Sequence, residues 1–365
     1  MIKIGFLTSS LSAEDGWGRY SRSLAEAMAK NAEVKVLTQF DAPNETRLER
    51  VYAGLPRWDY KLPTQFKVFF KTLKYFRDCD IIHSLIEPYA PGAALASRLL
   101  GAKFVMTLHG TYAVPPLNLS LERLFLKLAY KIAAITTTGS AFTETKVRRR
   151  IKFGECRFIP NGVDPKEFYR LPDAGDGNYI LTVGWLKARK GMDIFIKAFN
   201  EVKDEFPELK CKLAGGVGNE EFAKYLKTLV KDNDLGNRVE FLGRVSDGDL
   251  LKQYNNCSVF VFPARDIDEN FEGFPMVFYE ANACGAPVVT TRGFGSEYAV
   301  KDNYNGLLIE PESVEGAANA IRKIIKSPEL NLQMRKNALE TAANHTWDKI
   351  AENMLMPFYR DALNK

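Results

Sequence analysis

A chain of 365 residues has room for two domains with full cores, and 46% hydrophobic with 26% charged residues is an ordinary globular composition that argues against disorder. The net charge of +5 is uneven: residues 1–164 carry 24 Lys+Arg against 15 Asp+Glu, while the remainder is net negative. A basic first half suits an anionic partner such as a phospholipid surface or a phosphorylated acceptor, or is a solubilising imbalance; no nucleic-acid-binding motif accompanies it.

The chain opens on Met-Ile-Lys-Ile-Gly-Phe-Leu, which reads as a first strand rather than a signal peptide. Short β-branched runs then alternate with amphipathic stretches of helical length. The first series predicts strands at 2–7, 34–38, 81–84, 104–108, 133–137 and 157–159, with helices at 17–29, 119–131 and 140–150 among them. A further helix over 61–77 gathers Leu62, Phe66, Phe69, Phe70, Leu73 and Phe76 on one face and Lys67, Lys71 and Lys74 on another. Packing of that apolar face against its own domain is the expectation, with a membrane-surface role as the alternative. Turn residues dominate from Pro160 to Gly177, which reads as the domain linker.

The second series predicts strands at 179–183, 210–214, 239–242, 259–262, 287–290 and 306–309, with helices at 192–203, 220–232, 247–254, 276–283 and 314–325. Alternation of this kind means α/β domains, each a parallel sheet covered by helices on both faces, with ligands at the carboxyl ends of the strands. The longest apolar runs, such as Val259–Pro263, are too short to cross a bilayer. Five isolated cysteines without metal-ligand spacing suggest buried thiols in a reducing cytosol.

Several clusters fall where such sheets present their ligands. Asp15-Gly16-Trp17-Gly18 follows the first strand and opens a helix; the glycines permit close backbone approach to a ligand. A dinucleotide site would want an acidic end to the second strand, which is absent here. His109 ends the strand at 104–108 beside Gly110, placed to hydrogen-bond a sugar hydroxyl or to stabilise developing charge; His83 also closes a strand but reads as structural. Lys190 and Arg189 open the first helix of the second series, where an ammonium and a forked guanidinium suit a diphosphate. Asp266-Ile-Asp268 and Asp247-Gly-Asp249 read as a solvated loop and a helix start rather than as metal ligands. Glu272 and Glu280 bracket Gly273-Phe274-Pro275-Met276. A helix from Pro275 would aim the N–H groups of Met276 and Val277 at an anion and put Glu280 in its second turn. A loop carboxylate, a phosphate cradle and a second carboxylate together make the layout of a nucleotide-sugar site.

The run Glu272–Glu280, continuing through Ala281-Asn282-Ala283-Cys284-Gly285-Ala286-Pro287, is similar to the long signature of glycosyltransferase family 4, also called glycosyl transferases group 1. Gly293, Gly295 and Glu297, then Asn305-Gly306, resemble its following turn and strand. Asn161-Gly162-Val163-Asp164 resembles its interdomain motif, and Phe241–Ser246 the loop that reads the nucleobase. The resemblance covers nearly the whole chain. It implies the GT-B fold: two Rossmann-like doubly wound domains facing a central cleft, an acceptor-side domain at 1–164, a nucleotide-sugar-binding domain at 165–345, and a helix at 346–365 returning to the first.

Carried over, the resemblance implies that Glu272 binds sugar hydroxyls and Glu280 the ribose. Gly273, Phe274, Pro275 and Met276 would surround sugar and diphosphate, and Val245 would lie at the base. Lys190 would neutralise the diphosphate, Gly16 and Gly18 would approach it, and His109 would touch the sugar. The implied reaction is metal-independent, cofactor-free, retaining transfer of a hexosyl group from a UDP- or GDP-sugar to a glycan or lipid-linked acceptor, as in cell-surface polysaccharide or glycolipid synthesis. The expected location is cytoplasmic, with peripheral contact of the basic first domain with the membrane. Where many members carry Arg after the glycine ending the strand at 179–183, this chain has Trp185; either Arg189 supplies that charge or the diphosphate site is weaker. A nucleotide-sugar epimerase of the same fold and an inactive sugar-nucleotide-binding subunit are the alternatives.

Overall fold

The computed structural model describes every residue except Glu45, Leu119, Asp176 and Lys365, and all side chains of the rest but Thr111 and Ser120. Leu119, expected to begin a helix, and Asp176 of the expected linker therefore lie outside the described residues. The chain divides into two compact units, residues 1–162 with 347–365, and residues 163–346.

The strands of the first unit are β1 (Lys3–Leu7), β2 (Glu33–Leu37), β3 (Val51–Tyr52), β4 (Ile81–Ser84), β5 (Lys103–Leu108), β6 (Ile135–Thr138) and β7 (Cys156–Phe158). They form one parallel sheet in the order β3-β2-β1-β4-β5-β6-β7. Its helices are α1 (Gly16–Ala29), α2 (Leu62–Tyr75), α3 (Ala90–Leu100), α4 (Ser120–Ile132) and α5 (Ala141–Arg148). The stretch Trp347–Leu363 is helical with one π-type turn at Ala351–Leu355 and packs on α1, Trp347 meeting Tyr20 edge-on at 5.5 Å. Pro357 lies just beyond the wide turn, which absorbs its missing N–H.

The second unit carries β8 (Tyr179–Val183), β9 (Lys210–Ala214), β10 (Val239–Gly243), β11 (Val259–Phe262), β12 (Val288–Thr291) and β13 (Gly306–Ile309). They pair in parallel in the order β10-β9-β8-β11-β12-β13. Its helices are α6 (Met192–Val202), α7 (Glu220–Asp232), α8 (Asp247–Asn256), α9 (Val277–Ala283), α10 (Val314–Lys326) and α11 (Pro328–Asn344). Period-two alternation gives the sheet two cores: Val259 and Val261 point into one with Phe195 and Phe199, while Phe260 and Phe262 point into the other with Phe278 and Tyr279. Strands buried on both faces read as unbroken apolar runs, which is why β8 and β11 stand out in the sequence.

Both sheets have the same switch. The chain steps outward from β1 to β3, then returns to lay β4 on the other side of β1; it repeats this with β8 and β11. Loops leaving the carboxyl ends of β1 and β4, and of β8 and β11, diverge, and a crevice opens where they part.

One expected face turns inward only in part. Phe76, just past α2, is fully buried and Phe69 and Leu73 are half-buried, but the buried residues of α2 itself are Thr64, Gln65, Val68 and Thr72. Gln65 is held inside by donating to the carbonyls of Asp59 (2.8 Å) and Pro88 (2.9 Å) and accepting from the Gly92 N–H (3.0 Å). Gly92 lets α3 come this close, since a Cβ there would lie 2.6 Å from the Gln65 carbonyl. Phe66 and Phe70 are left in solvent.

Candidate functional site

In the second unit the loop after β8 runs through Gly184, Trp185 and Lys187 into a 3₁₀ turn, Ala188–Lys190. Gly191 then adopts φ +69° and lies so close to the loop after β11 that a Cβ would sit 1.8 Å from the Pro263 carbonyl. Arg265 fastens the two loops: its Nε donates to the Ala188 carbonyl (2.9 Å), its N–H to Arg189 (2.9 Å), and its guanidinium to Asp193 on the first turn of α6 (2.9 Å).

On this frame two cations converge on one buried carboxylate. Glu272 Oε1 lies 2.7 Å from Arg189 Nε and 3.3 Å from Lys190 Nζ. Neither Arg189 Nε nor Glu272 Oε1 makes a hydrogen bond, so the Arg189 contact is an ion pair with directional capacity unspent. Burial alone would raise the Glu272 carboxyl, but Lys190 and Arg189 outweigh it and hold it below the usual glutamate value. Lys187 is pushed down, first by burial and then by Arg189 and Lys190. Three cations against Glu272 leave the pocket with positive charge to spare, and an anion would relieve it. Lys190 also lies 4.9 Å from the Phe262 ring centroid.

Gly295 sets the position of the Glu272 loop: a Cβ on it would fall 1.6 Å from the Gly273 carbonyl. α9 starts at Val277, two residues later than expected, because Met276 rather than Pro275 provides the first helical carbonyl, accepting from Tyr279 (3.0 Å) and Glu280 (3.2 Å). Glu280 thus sits in the first turn, buried, with the Tyr254 hydroxyl donating to its Oε2 (3.1 Å). Pro275 is buried, and the Phe274 ring leans on Tyr279. Val245 packs on the edge of the aromatic core at the end of β10. Trp185 is 43% exposed, with the Arg244 guanidinium 5.8 Å from its ring. Asp268 and Glu269 both have positive φ inside a two-residue turn closed by Ile267 and Asn270, so the first Asp-x-Asp string is a tight hairpin. In the second, Asp249 gives its N–H to the Ser246 cap of α8 (3.1 Å).

In the first unit His109 follows β5. Its Nε2 bonds the Leu85 carbonyl (2.7 Å) and must therefore carry the proton, which leaves Nδ1 as an acceptor. Burial pushes the imidazole down to about 4, so it is neutral near pH 7. Its backbone N–H donates to Glu87 Oε1 (2.5 Å). Glu87 is fully buried, its Oε2 has no hydrogen-bond partner, and burial pushes its carboxyl up to about 8. His83 is instead spent inside the fold, between the Tyr359 hydroxyl (2.7 Å) and Thr107 (2.8 Å), with burial pushing it down to about 3. Asp15 caps α1 and accepts from the Gly18 N–H (2.8 Å), so that donor is already occupied. Gly18 is required by packing, since a Cβ would lie 2.2 Å from the Ser12 carbonyl, whereas Gly16 faces open space.

Family models match both halves: Glycosyltransferase Family 4 over residues 15–167 and Glycosyl transferases group 1 over residues 164–341. An uncharacterized glycosyltransferase of Methanocaldococcus jannaschii is 31% identical over 74% of this chain and 72% of its own length. The chain is a family 4 glycosyltransferase. A second relative of this glycosyltransferase is the GDP-mannose-dependent alpha-(1-6)-phosphatidylinositol monomannoside mannosyltransferase of Mycolicibacterium smegmatis, 28% identical over 71% of this chain and 69% of that one. The Anabaena protein HepE, solved with UDP and glucose, superposes with a TM-score of 0.79 at 21% identity, covering 99% of this chain and 100% of that one. These likenesses establish the GT-B Rossmann-like fold for the glycosyltransferase.

Within it, the sequence pointed to Arg189, Lys190 and Glu272, which the structure brings together, while His109, Gly16 and Gly18 belong to the other unit. Sequence reasoning missed Arg265, Asp193 and Glu87. A signal existed for each: Arg265 and Glu87 lie directly past the switch strands β11 and β4, and Asp193 lies in the first turn of the helix that Lys190 introduces.

Proposed function

We propose that this glycosyltransferase moves a hexosyl group from a UDP- or GDP-sugar to a hydroxyl of a glycan or lipid-linked acceptor, with retention at the anomeric carbon and without a metal. The observation that carries the reading is the surplus of positive charge where Lys187, Arg189 and Lys190 surround Glu272. A nucleoside diphosphate leaving group gains charge on its terminal phosphate oxygen as the glycosidic bond breaks. A preorganised ammonium and guanidinium bind that charge more strongly in the transition state than in the ground state, which is what lowers the barrier. Lys190 and Arg189 take this role, and Arg189 supplies the cation that Trp185 does not. The N–H groups at the start of α9 add donors to the diphosphate, Glu272 orients sugar hydroxyls, and Glu280 holds the ribose. His109, neutral and with Nδ1 open, accepts a hydrogen bond from a sugar hydroxyl. Attack by the acceptor on the face that the diphosphate leaves gives retention through an oxocarbenium-like state, positioning supplying much of the rate. A lipid-linked acceptor sits in a bilayer, so the reading includes peripheral contact of the basic first unit with the membrane.

Isothermal titration with UDP and GDP tests the site. One of the two binds in the micromolar range, and Lys190→Ala weakens it by about 2 kcal/mol, roughly thirty-fold. Equal affinity in the variant would remove Lys190 from the site. Product of inverted anomeric configuration, read by proton NMR, would overturn retention, and an epimerised donor formed without acceptor would overturn transfer itself.

A further inference from the structure

We infer that α2, α3 and α4 of the first unit form a docking face for an anionic phospholipid bilayer. α2 turns only part of its apolar stripe inward. Its stripe Leu62, Phe66 and Phe70, spaced i, i+4, i+8, is exposed, Phe70 to 62%, while Gln65 and Thr72 occupy the interior. α3 packs beside α2 and repeats the pattern, burying Ala93, Ala94, Ala96 and Ser97 and leaving Leu95 and Leu99 outside, Leu99 at 71%. α4 packs against α3 and exposes Leu121, Leu124 and Leu128. Eight of the sixteen large hydrophobic side chains exposed among the described residues therefore lie on three neighbouring helices. Scattered exposed leucines need no explanation, but eight large apolar side chains gathered on three mutually packed helices mark a contact surface.

Charge selects the occupant. Lys67, Lys71 and Lys74 on α2, Arg98 on α3, and Arg123, Lys127 and Lys131 on α4 stand against one acidic residue, Glu122. None of these cations pairs with a carboxylate among the described residues. Apolar side chains interleaved with lysine and arginine that no carboxylate neutralises fit the boundary of acyl chains and anionic headgroups, where phenylalanine and leucine enter the hydrocarbon edge and the cations meet phosphates. A second copy of the same face would set like charge against like charge. Among the described residues no helix is long and apolar enough to cross a membrane. This face deepens the peripheral contact proposed above, and its test needs neither donor nor acceptor.

The test is flotation of the full chain with phosphatidylcholine vesicles, alone or with about 30 mol% phosphatidylglycerol. The chain is expected to float with the anionic vesicles and to stay behind with the neutral ones, and to be released as salt rises. The double variant Phe66→Ser/Phe70→Ser and the double variant Lys67→Glu/Lys74→Glu each lower vesicle partitioning by about tenfold or more, with unchanged circular dichroism and melting. Should the phenylalanine variant misfold, Leu124→Ser on α4 carries the same expectation. Wild-type chain that ignores anionic vesicles at low salt, or folded variants that float like wild type, would overturn the proposal. A dimer in solution that dissociates on the phenylalanine substitutions would reassign the face to self-association. UDP titration runs alongside: a chain that binds UDP but no vesicles fails this inference and leaves the transferase reading standing, and the converse result does the reverse.

Discussion

Glu87 has the most unusual setting of any single side chain in the first unit. The unfolded chain releases its proton near the ordinary value of 4.5, the folded chain only near 8. Between these values the folded state holds one proton more than the unfolded state, so its contribution to stability falls as pH rises through the window and is level above it. Glu87→Gln keeps an acceptor for the His109 N–H and removes the titration. The difference in stability between wild type and variant is expected to change by on the order of 3 kcal/mol between pH 5 and pH 8 in favour of the variant, measured by denaturant unfolding. A pH-independent difference would place the Glu87 carboxyl in contact with water. Its place past the switch strand β4 was legible, but its burial was not, because a glutamate before Pro-Tyr reads as a solvated turn; the loop after β5 lies against it through the His109 N–H. His109 and His83 were separable in the sequence only by the glycine beside one of them. What decides between them is partners: His83 has both nitrogens engaged, and His109 has one.

At the scale of elements, the site depends on loops that are braced rather than free. Gly295→Ala would push a methyl group into the Gly273 carbonyl, and relief requires the Glu272 loop to move. A stability loss of about 2–3 kcal/mol together with weakened nucleotide binding is expected; loss of stability with intact binding would show that the loop adapts. Arg265→Met leaves Asp193 buried without its cation and frees the Ala188–Lys190 turn, at a cost of about 3 kcal/mol on thermal unfolding. The periodicity of α2 was legible, but its orientation was not. An amphipathic pattern says that one stripe differs from the other, and the neighbour decides which stripe turns inward. Here that neighbour is the small-residue face of α3, with Gly92 leaving space that Gln65 fills with three hydrogen bonds. The strands were the most legible elements, because doubly buried parallel strands are unbroken apolar runs bounded by turn residues. β3, two residues long at the edge of its sheet, offers no such run and was missed.

The whole molecule is organised by two crossings of the chain, at Gly162–Val163 and again at Thr346–Trp347. The final helical stretch completes the first unit: Tyr359 hydrogen-bonds the buried His83, and Lys30 reaches Asp348 at 2.5 Å. Truncation after Thr346 would leave the His83 nitrogen unpaired and bare the face of α1 around Tyr20. Calorimetry of the truncated chain is therefore expected to lose the transition of the first unit and to retain that of residues 163–346; two intact transitions would show that the last helix is dispensable. The same crossings govern the order of events on the ribosome. Residues 1–162 are synthesised before residues 163–346, and the helical stretch that completes their unit follows only after those. At about 5–20 residues per second, synthesis of the intervening unit takes roughly ten to forty seconds. During that time the first sheet waits unfinished while the second unit, contiguous in sequence, can close. The half that is translated first is the half that matures last.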